Sequence, residues 1–339
     1  MGASNEVTAS RRAFLGRAST LGVAGILGLS APARAEPPPE TKKIRLVHVP
    51  AICLAPQYLA EELLHLEGFS EVEYVEIANN TSYTVLASGQ ADLTQSAAPD
   101  LVTGLDSSAD VVSLAGVHAG CYELFVQPKI SALRELKGKR AVVTGVPSTE
   151  YVFLSSILAY VGIDPRKDIS WVTAGTSADS MQLFVEGKAD AFLGFAPQPQ
   201  ELREKHVGRV ILNTAQDRPW AQYFCCMLSA RKSFVTQNPI ATKRALRAIL
   251  KSADMCARDP ERVARYLVKR GFEPRYETGL EVLKSLAYGR WREAEPEDTL
   301  RFHALRLHEV GMIKSSPQKL IAQGTDWRFL NELKKELKA

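Results

Sequence analysis

Few residues of this chain are of a type and spacing that could do chemistry. Five cysteines, Cys53, Cys121, Cys225, Cys226 and Cys256, supply thiols, but their spacing fits no zinc pattern, and no metal or other cofactor is assigned from it. An oxidising compartment permits disulfides, yet an odd count leaves at least one thiol unpaired unless it bonds between chains. Cys225 and Cys226 are neighbours in a strand-like run, so their side chains should point to opposite faces. They read as poor partners for each other, and as small buried hydrophobes. His118 stands alone, and a lone histidine reads as structural rather than as a ligand. The sequence holds no Gly-x-Ser-x-Gly, His-Glu-x-x-His or P-loop signature and displays no nucleophile–base pair. It reads as a binding protein, not an enzyme.

The elements that must position a binding site follow an α/β grammar. Ile44–Val49 reads as a first strand and Ala55–Glu67 as a helix, with Tyr58, Leu59, Leu63 and Leu66 at helical spacing. Strands Glu71–Ile77 and Ala91–Gln95 follow, with a helix from about Ser82 between them and another opened by Pro99. Val111–Val117 and Glu123–Gln127 read as two more strands, and Pro128–Ser131 as a crossing between lobes. Beyond it the pattern restarts: strands Arg140–Thr144, Ile169–Thr173, Asp190–Gly194 and Val210–Asn213 alternate with helices Glu150–Val161, Ser177–Glu186 and Pro197–Lys205. Phe224–Leu228 reads as a strand returning to the first lobe. From Lys232 onward the chain is almost all helix, with prolines at several helix starts, where the missing N–H costs nothing. Gly89-Gln90-Ala91-Asp92-Leu93 has a counterpart in Gly187-Lys188-Ala189-Asp190-Ala191; each follows a helix and starts a strand.

The order and spacing of four segments resemble type II periplasmic solute-binding proteins of ABC importers. These are Ser88–Asp92, Leu136–Lys139, Gly162–Pro165 with Lys167-Asp168, and Gly187–Phe192. Within them the match is to the branch serving nitrate, alkylsulfonate, taurine and thiamine-precursor importers. The resemblance covers roughly residues 43–330. It implies two lobes, each a mainly parallel sheet flanked by helices, joined by crossing strands with the ligand between them. The lobes divide as 43–128 with 223–339, and 129–222, the C-terminal region being helical. It also implies a monomer that hinges shut on a small organic solute, sulfonate-like or heteroaromatic, and docks on an ABC permease.

Ligands of open α/β sheets sit beyond the carboxyl ends of the strands, where helix N-termini offer unpaired N–H groups. On that basis Ala51, Ile52 and Cys53 after the first strand, and Gln95, Ser96 and Ala97 after the third, are candidate contacts. Ser96 could equally be only an N-cap. Tyr122 could stack on a ligand or fill the hinge core. In the second lobe Ser148 or Thr149 caps a helix or serves the ligand, and Glu150 beside them argues against a strongly anionic guest. Phe195 and Tyr223, with Trp220, add aromatic surface suited to an organic solute. A related fungal enzyme of thiamine synthesis on the same fold carries a cysteine-rich run and binds iron; here the run Phe224-Cys225-Cys226-Met227 is shorter. A metal-dependent enzyme of that kind, or a ligand-sensing partner of a membrane signalling protein, are the alternatives.

The N-terminus carries an export signal. Ser10-Arg11-Arg12-Ala13-Phe14-Leu15 precedes an apolar stretch, Leu21–Leu29, and a small-residue step at Ala33-Arg34-Ala35. The stretch is far short of the roughly 20 residues that span a bilayer. The pattern resembles a twin-arginine signal cleaved after Ala35, which implies a periplasmic protein exported already folded, with 36–42 as an extended spacer. Removing residues 1–35 leaves 38 Lys+Arg against 37 Asp+Glu (42 − 4 and 38 − 1), a net charge of +1. That balance carries no footprint for nucleic acid.

Overall fold

The computed structural model of the chain describes residues 36–77, 81–107 and 110–338; the export signal read in residues 10–35 lies outside them. Among the described residues no helix is long and apolar enough to cross a membrane.

Two five-stranded sheets organise the chain from Pro38 onward. The first is built from β1 (Lys43–His48), β2 (Glu71–Glu76), β3 (Leu93–Ala97), β4 (Val111–Ala119) and β10 (Phe224–Arg231), in the order β2-β1-β3-β10-β4. The second uses β5 (Tyr122–Val126), β6 (Arg140–Val143), β7 (Ser170–Thr173), β8 (Ala191–Phe195) and β9 (Arg209–Asn213), in the order β7-β6-β8-β5-β9. In each sheet one strand, β10 or β5, runs antiparallel to both neighbours while the other four share a direction. The sheets are therefore mainly parallel and have the same topology. All nine residues of β4 are buried, as a strand covered on both faces requires. The edge strand β2 keeps its glutamates half or fully exposed, which blunts that edge.

The repeated Gly-x-Ala-Asp turn has a structural cause. Asp92 accepts hydrogen bonds from the backbone N–H and guanidinium of Arg45 on β1, and Arg45 also donates to the carbonyl of Gly89 at 2.8 Å. In the second lobe Asp190 accepts the same bonds from Arg140 on β6, and Arg140 donates to the carbonyl of Gly187 at 3.0 Å. Each clamp ties a helix-to-strand turn to the first strand of its sheet.

Two boundaries differ from the sequence reading. Tyr122–Val126 pairs with β8 and β9, so it belongs to the second sheet, and the chain crosses between lobes at Gly120-Cys121 rather than at Pro128–Ser131. Pro128 merely opens the turn that follows β5. The supposed spacer is also part of the fold: the Glu40 carboxylate accepts the backbone N–H groups of Ile240 and Ala241, capping the helix Pro239–Arg258.

The helices that frame the cleft are α1 (Ala55–Leu66), α2 (Ser82–Ala87), α3 (Ala98–Ser107), α4 (Thr149–Tyr160), α5 (Ser177–Val185) and α6 (Gln198–Glu204). α4 is buried along nearly its whole length. It packs against α3 and against the C-terminal helix Pro296–Glu309, where Ser156 bonds His303 at 2.8 Å. The almost wholly helical C-terminal region agrees with the sequence reading; prolines open Pro239–Arg258, Pro260–Lys269 and Pro296–Glu309, and Lys232–Gln237 and Pro317–Gly324 are helices not singled out there.

Candidate functional site

A cavity of about 740 Å³ lies between the two sheets, where strand ends and helix N-termini converge. From the first lobe its wall takes Ala51 and Cys53 after β1, Gln95, Ser96 and Ala97 on β3, and Asp100 on α3. The crossover gives Cys121 and Tyr122, and β10 gives Cys226. The second lobe gives Thr144, Ser148, Thr149 and Glu150 before and within α4, Thr176 before α5, and Phe195 at the end of β8. Thus Ala51, Cys53, Gln95, Ser96, Ala97, Tyr122, Ser148, Thr149 and Phe195 share one cavity.

Ile52 and Tyr223 do not line it. Ile52 is buried in the hydrophobic core, within the 3-10 turn Ile52–Leu54 whose other two residues, Cys53 and Leu54, reach the cavity. Tyr223 stacks on Phe302 with ring centroids 4.3 Å apart. Trp220 is buried edge-on against Tyr160. Gln95 and Ser96 sit on β3 rather than after it, because β10 pairs with β3 through Ala97 and prolongs the strand.

The polar groups of the cavity are unevenly satisfied. Ser148 caps α4 by accepting the Tyr151 N–H at 3.2 Å, and Thr176 caps α5 by accepting the Asp179 N–H at 3.1 Å. By contrast, both side-chain polar atoms of the fully buried Gln95, and the hydroxyl of Ser96, have no partner among the described residues. Buried amides without partners cost free energy unless something satisfies them, so these groups are available to a guest. Tyr122 and Phe195 meet edge to face at 5.6 Å and present aromatic surface beside them.

The charges are of one sign. Glu76, Asp100 and Glu150 line the cavity, and no lysine or arginine does so among the described residues. Burial first, and the negative charge of Glu150 second, lift the Asp100 carboxyl to about 7, against a hydrogen bond from Thr149 that lowers it. Glu150 accepts a hydrogen bond from Thr144 at 3.1 Å.

At the cavity floor, tertiary structure gathers groups that the sequence left scattered. Cys53, His118, Cys121 and Cys226 bring their ligand atoms within 4.8 Å of one another. His118 and Cys226 are partners across the β4–β10 ladder. Register shifts on both sides of Cys226 mark a bulge, and the thiols of Cys225 and Cys226 interact with each other and with Cys121. Cys226 lines the cavity and joins the cluster, whereas Cys225 is buried and does neither. All five cysteines are free thiols. Burial, the largest influence, depresses His118, but the Cys226 and Cys53 thiols beside it together outweigh this and lift it to about 10.

The sequence matches the family model described as NMT1/THI5 like over residues 66–263, more than half of the chain. No curated protein matches it. Among solved structures, the periplasmic nitrate-binding protein NrtA from Synechocystis PCC 6803 is similar over 89% of this chain and 90% of its own, at 19% identity and a TM-score of 0.73. The alkanesulfonate-binding protein SsuA from Xanthomonas axonopodis pv. citri, bound to MOPS, covers 86% of this chain and 99% of its own, at 17% identity and a TM-score of 0.68. The ligand-binding component of an ABC-type import system from Staphylococcus aureus, with zinc bound, covers 86% of this chain and 98% of its own, at 15% identity and a TM-score of 0.68. At these identities the likeness is one of fold.

Proposed function

The chain belongs to the NMT1/THI5-like family, and we propose that it is the extracytoplasmic solute-binding component of an ABC importer. It would close its two lobes on a small organic solute and dock on a permease in the inner membrane. Ligand would shift an open–closed equilibrium in proportion to its extra contacts in the closed form. The export signal read in residues 10–35 supports passage across the membrane by the twin-arginine route.

The observation that carries the reading is the cavity itself: it draws residues from both lobes, holds the unpaired Gln95 amide, and is lined by carboxylates without a balancing cation. A lining that carries carboxyl groups and, among the described residues, no lysine or arginine disfavours anions and suits neutral or cationic guests. That argues for a nitrogen heteroaromatic solute, stacking near Tyr122 and Phe195, over nitrate or a sulfonate.

Native mass spectrometry of protein taken from the periplasm should reveal a retained small molecule. In thermal-shift titrations, aminopyrimidine-type cations should raise the unfolding temperature, while nitrate, taurine and ethanesulfonate should leave it unchanged. Binding of only the anions would overturn the proposed solute class. Recovery of the mature protein solely from the cytosol would overturn the receptor reading.

A further inference from the structure

The four groups at the cavity floor satisfy the requirements of a metal site. Cys53 comes from the turn after β1, His118 from β4, Cys121 from the crossover and Cys226 from β10. Three of them are buried and Cys121 is partly exposed to the cavity. We infer that Cys53, His118, Cys121 and Cys226 bind one thiophilic metal ion, Zn²⁺ or Cu⁺, at the base of the cleft.

Several independent observations support this. Nε2 of His118 has no hydrogen-bond partner although the residue is fully buried, and it faces the Cys53 and Cys226 sulfurs. Its other nitrogen, Nδ1, lies 3.4 Å from the carbonyl of Ala119, which orients the ring with Nε2 toward the cluster; a bound metal would take the place of any proton on Nε2. A ligating histidine is commonly oriented by a carbonyl in this way. Tyr288 packs against the His118 ring at 5.2 Å and its hydroxyl donates to the carbonyl of Cys53 at 3.3 Å, holding two ligands with one side chain. The Cys121 N–H donates to Thr214 at 3.2 Å, and Cys121 has φ of 156°, an angle rarely adopted by residues with side chains.

The donor set selects the ion. Three thiolates and one imidazole suit Zn²⁺ or Cu⁺ and discriminate against Mg²⁺ and Ca²⁺, which take oxygen ligands. A tetrahedral ion with Zn–S bonds near 2.3 Å needs sulfurs ~3.8 Å apart, so a pair at the 4.8 Å limit would draw in by about an ångström. Four protein ligands fill a tetrahedral sphere and leave no position for a hydrolytic water. The ion is therefore held rather than used for hydrolysis, and binding releases the protons of the thiols that become thiolates. The site stands on this geometry alone, whichever organic solute the cavity takes.

The test uses the folded protein, reduced and stripped with a chelator. Co²⁺ should bind one equivalent and give sulfur-to-metal charge-transfer bands with the intense visible bands of tetrahedral coordination. Zn²⁺, titrated against a chromophoric chelator, should displace it, and Cu⁺ should be tested by competition with bathocuproine. Cys226→Ser and His118→Ala should each weaken binding about 100-fold or more, while Cys256→Ser, which removes a buried thiol outside the cluster, should not. Should a variant fail to fold, protection of Cys53, Cys121 and Cys226 from alkylation by bound Zn²⁺ in the unaltered protein gives the same answer. Lack of a one-to-one complex, thiolate bands that persist in Cys226→Ser, or a disulfide among these cysteines in unreduced periplasmic protein would each overturn the assignment. Loss of organic-solute binding with the metal complex intact would count against the proposed solute, not against this site.

Discussion

Asp100 on α3 shares the cleft with Glu150 at the start of α4, so a carboxylate from each lobe faces the same cavity. With its carboxyl lifted from 3.8 to about 7, Asp100 stays protonated in the folded state through mildly acidic pH, while the unfolded chain has already lost that proton. The folded form then binds more protons than the unfolded form between those values, and stability from this group falls as pH rises. Between pH 5 and pH 8 the loss should approach about 2–3 kcal/mol. Urea unfolding across that range should show it, and Asp100→Asn should abolish it. An unchanged slope in the variant would refute this account.

His303 should act in the opposite sense. Burial holds it down at about 3, beside Ser156. Below the unfolded value of about 6.5 the unfolded chain takes up a proton that the folded chain refuses. Stability should therefore fall by about 2 kcal/mol between pH 7 and pH 5, and His303→Gln should flatten that acid limb. The measurement is the same unfolding series, continued to pH 4.5.

The two Arg–Asp clamps should differ in worth. Asp92 is almost wholly buried and pairs with both Arg45 and Arg231. Among the described residues Asp190 pairs with Arg140 alone, whose side chain is 46% exposed. Asp92→Ala leaves two guanidinium groups short of a buried partner and should cost about 3–5 kcal/mol. Asp190→Ala should cost about 1 kcal/mol, because solvent screens that pair. Denaturant midpoints of the two variants at neutral pH decide the ranking.

The crossover leaves no room for a side chain at Gly120. Its φ is +75°, and an added Cβ would lie 2.4 Å from the Cβ of Ala215 and 2.5 Å from its backbone Cα. Gly162 has a similar φ of +80° with open space around it. Gly162→Ala should thus cost only the strain of the left-handed conformation, ~1–2 kcal/mol. Gly120→Ala should cost clearly more, since Ala215 must also move. Equal losses in thermal unfolding would show that the contact yields freely.

Much of the fold was readable from local pattern. Tyr58, Leu59, Leu63 and Leu66 mark α1 because helix period and burial coincide within one segment. The turns at Asp92 and Asp190 are alike because each must clamp an arginine, Arg45 on β1 or Arg140 on β6, near the start of that strand. The crossover was misjudged for a related reason: proline at 128 is an obvious local signal, whereas the bend at Gly120-Cys121 is defined by which sheet accepts Tyr122–Val126. Ile52 and Tyr223 looked like cavity residues by position, and only packing against the core and against Phe302 turned them away.

The sequence by itself determined the alternation of strands and helices and the doubled lobe, since each depends on residues close together in the chain. Only the tertiary structure decided the cavity floor. Cys53, His118, Cys121 and Cys226 meet because β10, arriving about a hundred residues later, inserts between β3 and β4 and places Cys226 opposite His118. Hydrogen-bonded strand order, a property of the whole sheet, brings these donors together, and no spacing along the chain encodes it.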